Sequence, residues 1–176
     1  EGFLNRMDED CLRFKPTVAT LAYGMNDSRY RPFDTLNGQW YHDHYSEVVA
    51  KLKASGARVV VGSPGCAGKI ASWVKSRSGT LDEHNLHLCA LRDIALPVAK
   101  EQDVAFADIF WPMYQQQILA ARKYGTAEKP YEIAGGDGIH PGGAGHLLMA
   151  YSFLRAMGLN GDIAAIRFDC QADTAT

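Results

Sequence analysis

The stretch Gly56-Ala57-Arg58-Val59-Val60-Val61-Gly62-Ser63-Pro64 decides how the chain is read. Ala57–Val61 is a short apolar run, rich in β-branched residues and bounded by turn formers, which predicts a buried strand. Gly56 stands where a glycine closes a helix. Upstream of it Tyr41, Tyr45, Val48, Val49 and Leu52 recur at three- and four-residue steps, so a helix is expected over roughly Trp40–Ala54. Strand-like runs recur at Thr17–Tyr23 and Val104–Phe110, and a second helical stretch covers roughly Leu81–Gln102, with Asp82 placed to cap its start. Strand, helix, strand, helix, strand predicts an α/β fold whose parallel sheet is covered on both faces. Further helices are expected at about Pro112–Tyr124 and Gly142–Met157, the latter carrying Leu147, Leu148, Tyr151, Leu154 and Arg155. The tail Gly161–Thr176 has no clear period, and disorder is expected over about its last ten residues.

The 176 residues carry 18 Lys+Arg against 20 Asp+Glu, a net charge of −2, with 47% apolar residues, which suits one domain with one core. Such a balance lacks the basic footprint that phosphate backbones require, so nucleic acid is not an expected partner. No run approaches the length of apolar sequence that a membrane-spanning helix needs, and none is expected. Cys11, Cys66, Cys89 and Cys170 are widely spaced without a C-x-x-C pair, which argues against a zinc or thioredoxin-type motif and leaves their pairing open. The chain opens on Glu1 and shows no signal-peptide pattern. Three strands are evident where doubly wound sheets usually have about five or six, so a first strand or two is expected upstream.

In a doubly wound sheet the ligand crevice lies beyond the carboxyl ends of the strands. After the first strand comes Gly24-Met25-Asn26-Asp27, where glycine permits close backbone approach and the asparagine amide can donate to a developing oxyanion; a plain turn is the competing reading. The second cluster, Gly135-Gly136-Asp137-Gly138-Ile139-His140-Pro141-Gly142-Gly143, lets the Asp137 carboxylate fold back onto one nitrogen of His140 while the other faces the crevice. A turn cap followed by a helix start competes with that reading.

Together these clusters resemble the SGNH hydrolases, also called GDSL-type esterases and lipases. Gly24-Met25-Asn26-Asp27 is similar to the family's third block, and Asp137-Gly138-Ile139-His140 to its fifth. Gly62-Ser63-Pro64 after one strand, and a helix leading into Val104-Ala105-Phe106-Ala107-Asp108, extend the resemblance over most of Pro16–Gly158. It implies a three-layer α/β/α, flavodoxin-like fold and hydrolysis of carboxylic esters, on a carbohydrate or a lipid, through an acyl-enzyme. Asn26 would donate to the oxyanion in a loop shaped by Gly24, His140 would act as general base and Asp137 would orient it. No cofactor is implied, the partner is a small-molecule or carbohydrate ester, and an extracytoplasmic location is suggested by the family alone.

The family's Gly-Asp-Ser block is not present, and residues 1–15 contain no serine. The chain is therefore expected to be a fragment cut downstream of its nucleophile and inactive by itself; Ser28 and Ser63 do not occupy the nucleophile position. The alternative is a non-catalytic carbohydrate- or ligand-binding module on the same fold. A nucleotide-binding flavodoxin-like domain is disfavoured: Gly62–Lys69 fails the P-loop pattern, because its first glycine is one residue out of place and Ile70 follows Lys69.

Tyr30, Phe33, Trp40 and Tyr41 offer a stacking wall for a sugar or acyl group, Tyr30 and Trp40 foremost, with packing against the core as the other use. His42-Asp43-His44 points to different faces of a helix and is read as a solvated helix start rather than a metal half-site. His84 and His87 lack a third ligand nearby and are expected as surface or half-buried residues, and His146 is expected as packing or polar surface.

Overall fold

The computed structural model describes residues 2–159 and 161, with the backbone of Phe168–Asp169 and Thr174–Ala175. Short turns and one helical turn, α1 (Met7–Asp10), lead to strand β1 (Val18–Ala22), helix α2 (Thr35–Ala54), strand β2 (Arg58–Gly62), helix α3 (Leu81–Glu101) and strand β3 (Ala105–Ala107). Helices α4 (Phe110–Tyr124) and α5 (Gly143–Ala156) follow, then β4 (Phe168–Asp169) antiparallel to β5 (Thr174–Ala175). Most of the tail for which disorder is expected lies outside the described residues.

The main sheet is parallel in the order β1-β2-β3, with Thr20 opposite Val60 and Val61 opposite Phe106. Leu21, Val59 and Val61 point to one face, where Tyr45, Val48, Val49 and Leu52 of α2 and Leu91, Ala95 and Val98 of α3 close over them. On the other face α5 lies over β2 and β3, its Phe153 seated on Gly62, where an added Cβ would come within 2.8 Å of the ring. This is the layered arrangement that the alternating pattern predicts. The α5 layer stops short of β1: Val18, Thr20 and Ala22 are exposed, as are Leu147, Tyr151 and Leu154 of α5.

Element ends depart from expectation where side chains overrule periodicity. Helix α2 begins at Thr35 rather than near Trp40, because Asp34 caps it by accepting the Asn37 N–H at 2.7 Å. Helix α3 is capped by Thr80, not Asp82; Thr80 and Glu83 form a reciprocal capping box, and Asp82 lies in the first turn. The third strand ends at Ala107 rather than Phe110, because Ser63 Oγ takes the N–H groups of Ile109 and Phe110 at 2.8 and 2.9 Å and turns the chain into α4. Gly56 does close α2, at φ +89.

Thr80→Ala removes the side-chain half of the capping box, the acceptor of the Glu83 N–H, and leaves the Thr80 N–H on Glu83; a loss of about 1 kcal/mol is expected in urea unfolding. An unchanged midpoint would show that α3 is held by its packing alone.

Candidate active site

Beyond the sheet's carboxyl end, three loops meet. The loop after β2 and the glycine-rich loop before α5 are strapped together: the Gly68 N–H donates to Gly138 O at 2.8 Å, Lys69 Nζ to Gly136 O at 2.9 Å, and Lys69 also pairs with Glu132. Gly138 has φ +78, and a Cβ there would fall 2.3 Å from Lys69 N. Only glycine meets both demands.

This seating shapes the Asp137 turn. One carboxylate oxygen, Oδ1, accepts the N–H groups of Ile139 and His140, each at 2.9 Å, and Oδ2 lies 2.7 Å from His140 Nδ1. The His140 backbone N–H, the His140 ring and the Ile139 N–H hold the carboxyl far below the usual carboxylate range. An ionised carboxylate only accepts, so Nδ1 carries the proton and Nε2 presents its lone pair. The imidazole is 77% exposed and stacks near Trp73, ring centroids 6.2 Å apart.

In the loop after β1, Gly24 at φ +130 lies against Pro64, where a Cβ would be 2.8 Å from the proline ring. The Gly24 N–H donates to Asp27 Oδ2 at 2.9 Å. Asn26 is exposed, and its Oδ1 accepts the Tyr30 hydroxyl at 2.6 Å, which leaves the amide N–H groups to face outward. Burial, and then the charge of Asp137, raise the Tyr30 phenol. Met25 and Tyr30 pack against the same apolar cluster as Ile139, so the two loops share one base.

The remaining aromatics divide. Trp40 lines a separate cavity with Tyr23, Tyr41 and His44, and Tyr41 is fully buried with its hydroxyl on Tyr23 O. Tyr30 and Trp40 therefore do not form one wall. His42 lies beside Asp43 and Glu101, His44 stacks on Trp40, and His146 is exposed.

His84 and His87 correct the expectation of surface or half-buried positions: both are buried. His87 lies between Arg31 O and Asn37 Oδ1, at 2.7 and 2.8 Å. His84 Nε2 is 2.9 Å from Ser28 Oγ, the separation of a nucleophile and its base. The hydroxyl, however, donates to Met25 O at 2.7 Å, so it receives the His84 proton rather than giving up its own. Buried Ser28 thereby braces the Asn26 turn, and buried Ser63 caps α4. Periodicity missed these histidines because their partners lie some 50 residues away in sequence.

The GDSL-like lipase/acylhydrolase family matches residues 1–148, and the chain belongs to this family. No curated protein sequence matches. Among solved structures, a variant of an acetyl-xylooligosaccharide esterase from Geobacillus stearothermophilus superposes with TM-score 0.65 at 19% identity, covering 93% of this chain and 69% of its own. A gut microbial diltiazem-metabolizing enzyme gives TM-score 0.70 at 23% identity, over 98% of this chain but 40% of its own. An α/β hydrolase from the metagenome of Lake Arreo, Spain, gives 0.62 at 19%, over 89% and 66%. At these identities the likeness is one of fold, and the chain spans about two thirds or less of two of these three proteins.

Gly138→Ala is expected to unfold more easily and to release His140 from its place, read by urea titration and by the His140 ring signals in NMR. Burial and the neighbouring His87 lower the His84 pKa from 6.5 to about 4. The unfolded chain therefore takes up a proton that the folded chain refuses, and stability is expected to fall as pH drops from about 6.5 to about 4. His84→Gln should flatten that slope when urea midpoints are compared across this window.

Proposed function

We propose that this domain hydrolyses carboxylic esters through a serine acyl-enzyme, with His140 as general base, Asp137 orienting it, and Asn26 donating to the oxyanion within the loop shaped by Gly24. The observation that carries the reading is the Asp137–His140 pair: a carboxylate locked by two backbone N–H groups fixes the imidazole tautomer and leaves Nε2 free on an exposed ring. The serine hydroxyl attacks the ester carbonyl and its proton passes to Nε2. The carbonyl oxygen gains the negative charge, which the Asn26 amide N–H stabilises. His140 then returns the proton to the leaving alcohol, and water repeats the sequence on the acyl-serine.

In this reading the attacking serine comes from a further segment, and neither Ser28 nor Ser63 supplies it, because both are buried and hold other groups. Parallel sheets are ordinarily covered on both faces, whereas the Val18, Thr20 and Ala22 face of β1 is open beside the apolar flank of α5. The reading puts a further strand and helix there. The setting of Asn26 is polar, with Arg29, Tyr30, Arg31 and Ser76 beside Val74, which favours an acylated sugar over a long acyl chain. The acetyl-xylooligosaccharide esterase of like fold supports the same class.

A fluorophosphonate probe is expected to label a serine in a version of the protein extended upstream by one strand and helix, and not to label these 176 residues. His140→Ala in the extended protein should lose labelling and several orders of magnitude in ester turnover, and Asn26→Ala about 10²–10³-fold. Absence of label from both versions, with saturable sugar binding, would instead establish a non-catalytic binding module.

A further inference from the structure

A cavity of about 290 Å³ opens directly beside Asn26, lined by Asn26, Arg29, Tyr30, Arg31, Val74 and Ser76. Two arginines line this one space in a chain whose net charge is −2, so the local positive charge is not part of a generally basic surface. Arg29 forms no ion pair among the described residues; its guanidinium stands 5.6 Å over the Trp40 ring. Arg31 reaches Asp34 Oδ2 through one long contact of 3.4 Å, while Asp34 Oδ1 is committed to capping α2. The Nε–H of Arg31 is buried with no partner among the described residues. A buried charged donor without an acceptor is costly unless something supplies one.

The backbone is arranged to present these groups. Arg29 and Tyr30 are consecutive non-glycine residues at φ +54, a conformation held by the Arg29 N–H on Asn26 O, the Tyr30 N–H on Ser28 Oγ and the Tyr30 hydroxyl on Asn26. Strain of this kind persists only where the surroundings impose it. The neighbouring carboxylates are already engaged: Asp27 with the Gly24 N–H, Asp34 with the α2 cap, and Asp137 with His140 and Ile139.

We propose that this cavity binds a carboxylate of the substrate, through Arg31 and Arg29, while Asn26 at its edge meets the ester carbonyl. The inference rests on the esterase reading and narrows it to esters that carry an anionic group. The carboxylate belongs either to an acidic sugar on the alcohol side or to a dicarboxylic half-ester on the acyl side. A planar guanidinium presents paired N–H donors to both oxygens of a carboxylate, which a neutral hydroxyl cannot reproduce.

The test is calorimetric binding of methyl β-glucuronoside, methyl β-glucoside and monomethyl succinate to this protein, with turnover of the acetylated glycosides measured in the extended one. Binding of one anionic ligand about tenfold or more tighter than the neutral glucoside is expected, weakening as salt is raised. The tighter anion identifies the side of the ester concerned. Arg31→Gln and Arg29→Gln should each remove most of that preference, and Arg31→Lys should restore part of it. Equal affinity for charged and neutral ligands in the unaltered protein, or a preference that survives both glutamine variants, would overturn the site. Ester turnover without discrimination leaves the esterase reading standing and sinks the anion site, whereas anion preference in an extended protein that cleaves no ester does the reverse.

Discussion

The close seating of Gly138 on Lys69 is the constraint on which the candidate active site depends. Where the two backbones touch, no side chain fits, and the Gly68 N–H bonds to Gly138 O across the gap. That contact converts a glycine-rich loop, which by itself would sample many conformations, into a single turn. The Asp137 carboxylate then finds three donors within the next three residues, and His140 is fixed at one ring nitrogen while the other stays free. Local hydrogen bonds build the pair, but a contact between residues some 70 positions apart gives it a definite direction.

The loop after β1 follows the same logic. Gly24 abuts Pro64, so the turn carrying Asn26 is set against the start of the loop that also braces Gly138. Buried Ser28, bonded to His84 in α3, ties the turn to the helical layer behind it. The loop that leaves β1 and the loop between α4 and α5 are thus both referred to the segment after β2, through Pro64 and Lys69. The left-handed Arg29 and Tyr30 follow from that tether, and with them the paired guanidinium groups beside the proposed ester site.

Most of the architecture was legible because burial imposes a period. The Tyr41 to Leu52 spacing and the Ala57–Val61 run correspond to α2 and β2, and the alternation of elements gave the parallel sheet. Element ends were less legible, since they hinge on single oxygens: Asp34 extends α2 by a turn, Thr80 displaces Asp82 as the cap, and Ser63 cuts β3 short. The motif residues Gly24, Asn26, Asp137 and His140 could be singled out from turn chemistry and spacing. The burial of His84 and His87, and the parting of Trp40 from Tyr30, could not, because each depends on which distant element supplies the partner.

The amino-acid sequence by itself determined the α/β class, the two motif-bearing loops and the family, since periodicity and short-range turn chemistry are written in neighbouring residues. Tertiary structure alone decided that Ser28 and Ser63 serve as braces, that the Asn26 loop and the Asp137 turn both seat on the segment after β2, and that Arg29 and Arg31 line one cavity. The physical reason is that a side chain's role follows from its burial and from the polarity of what it touches. For these residues both are set by segments far apart along the chain.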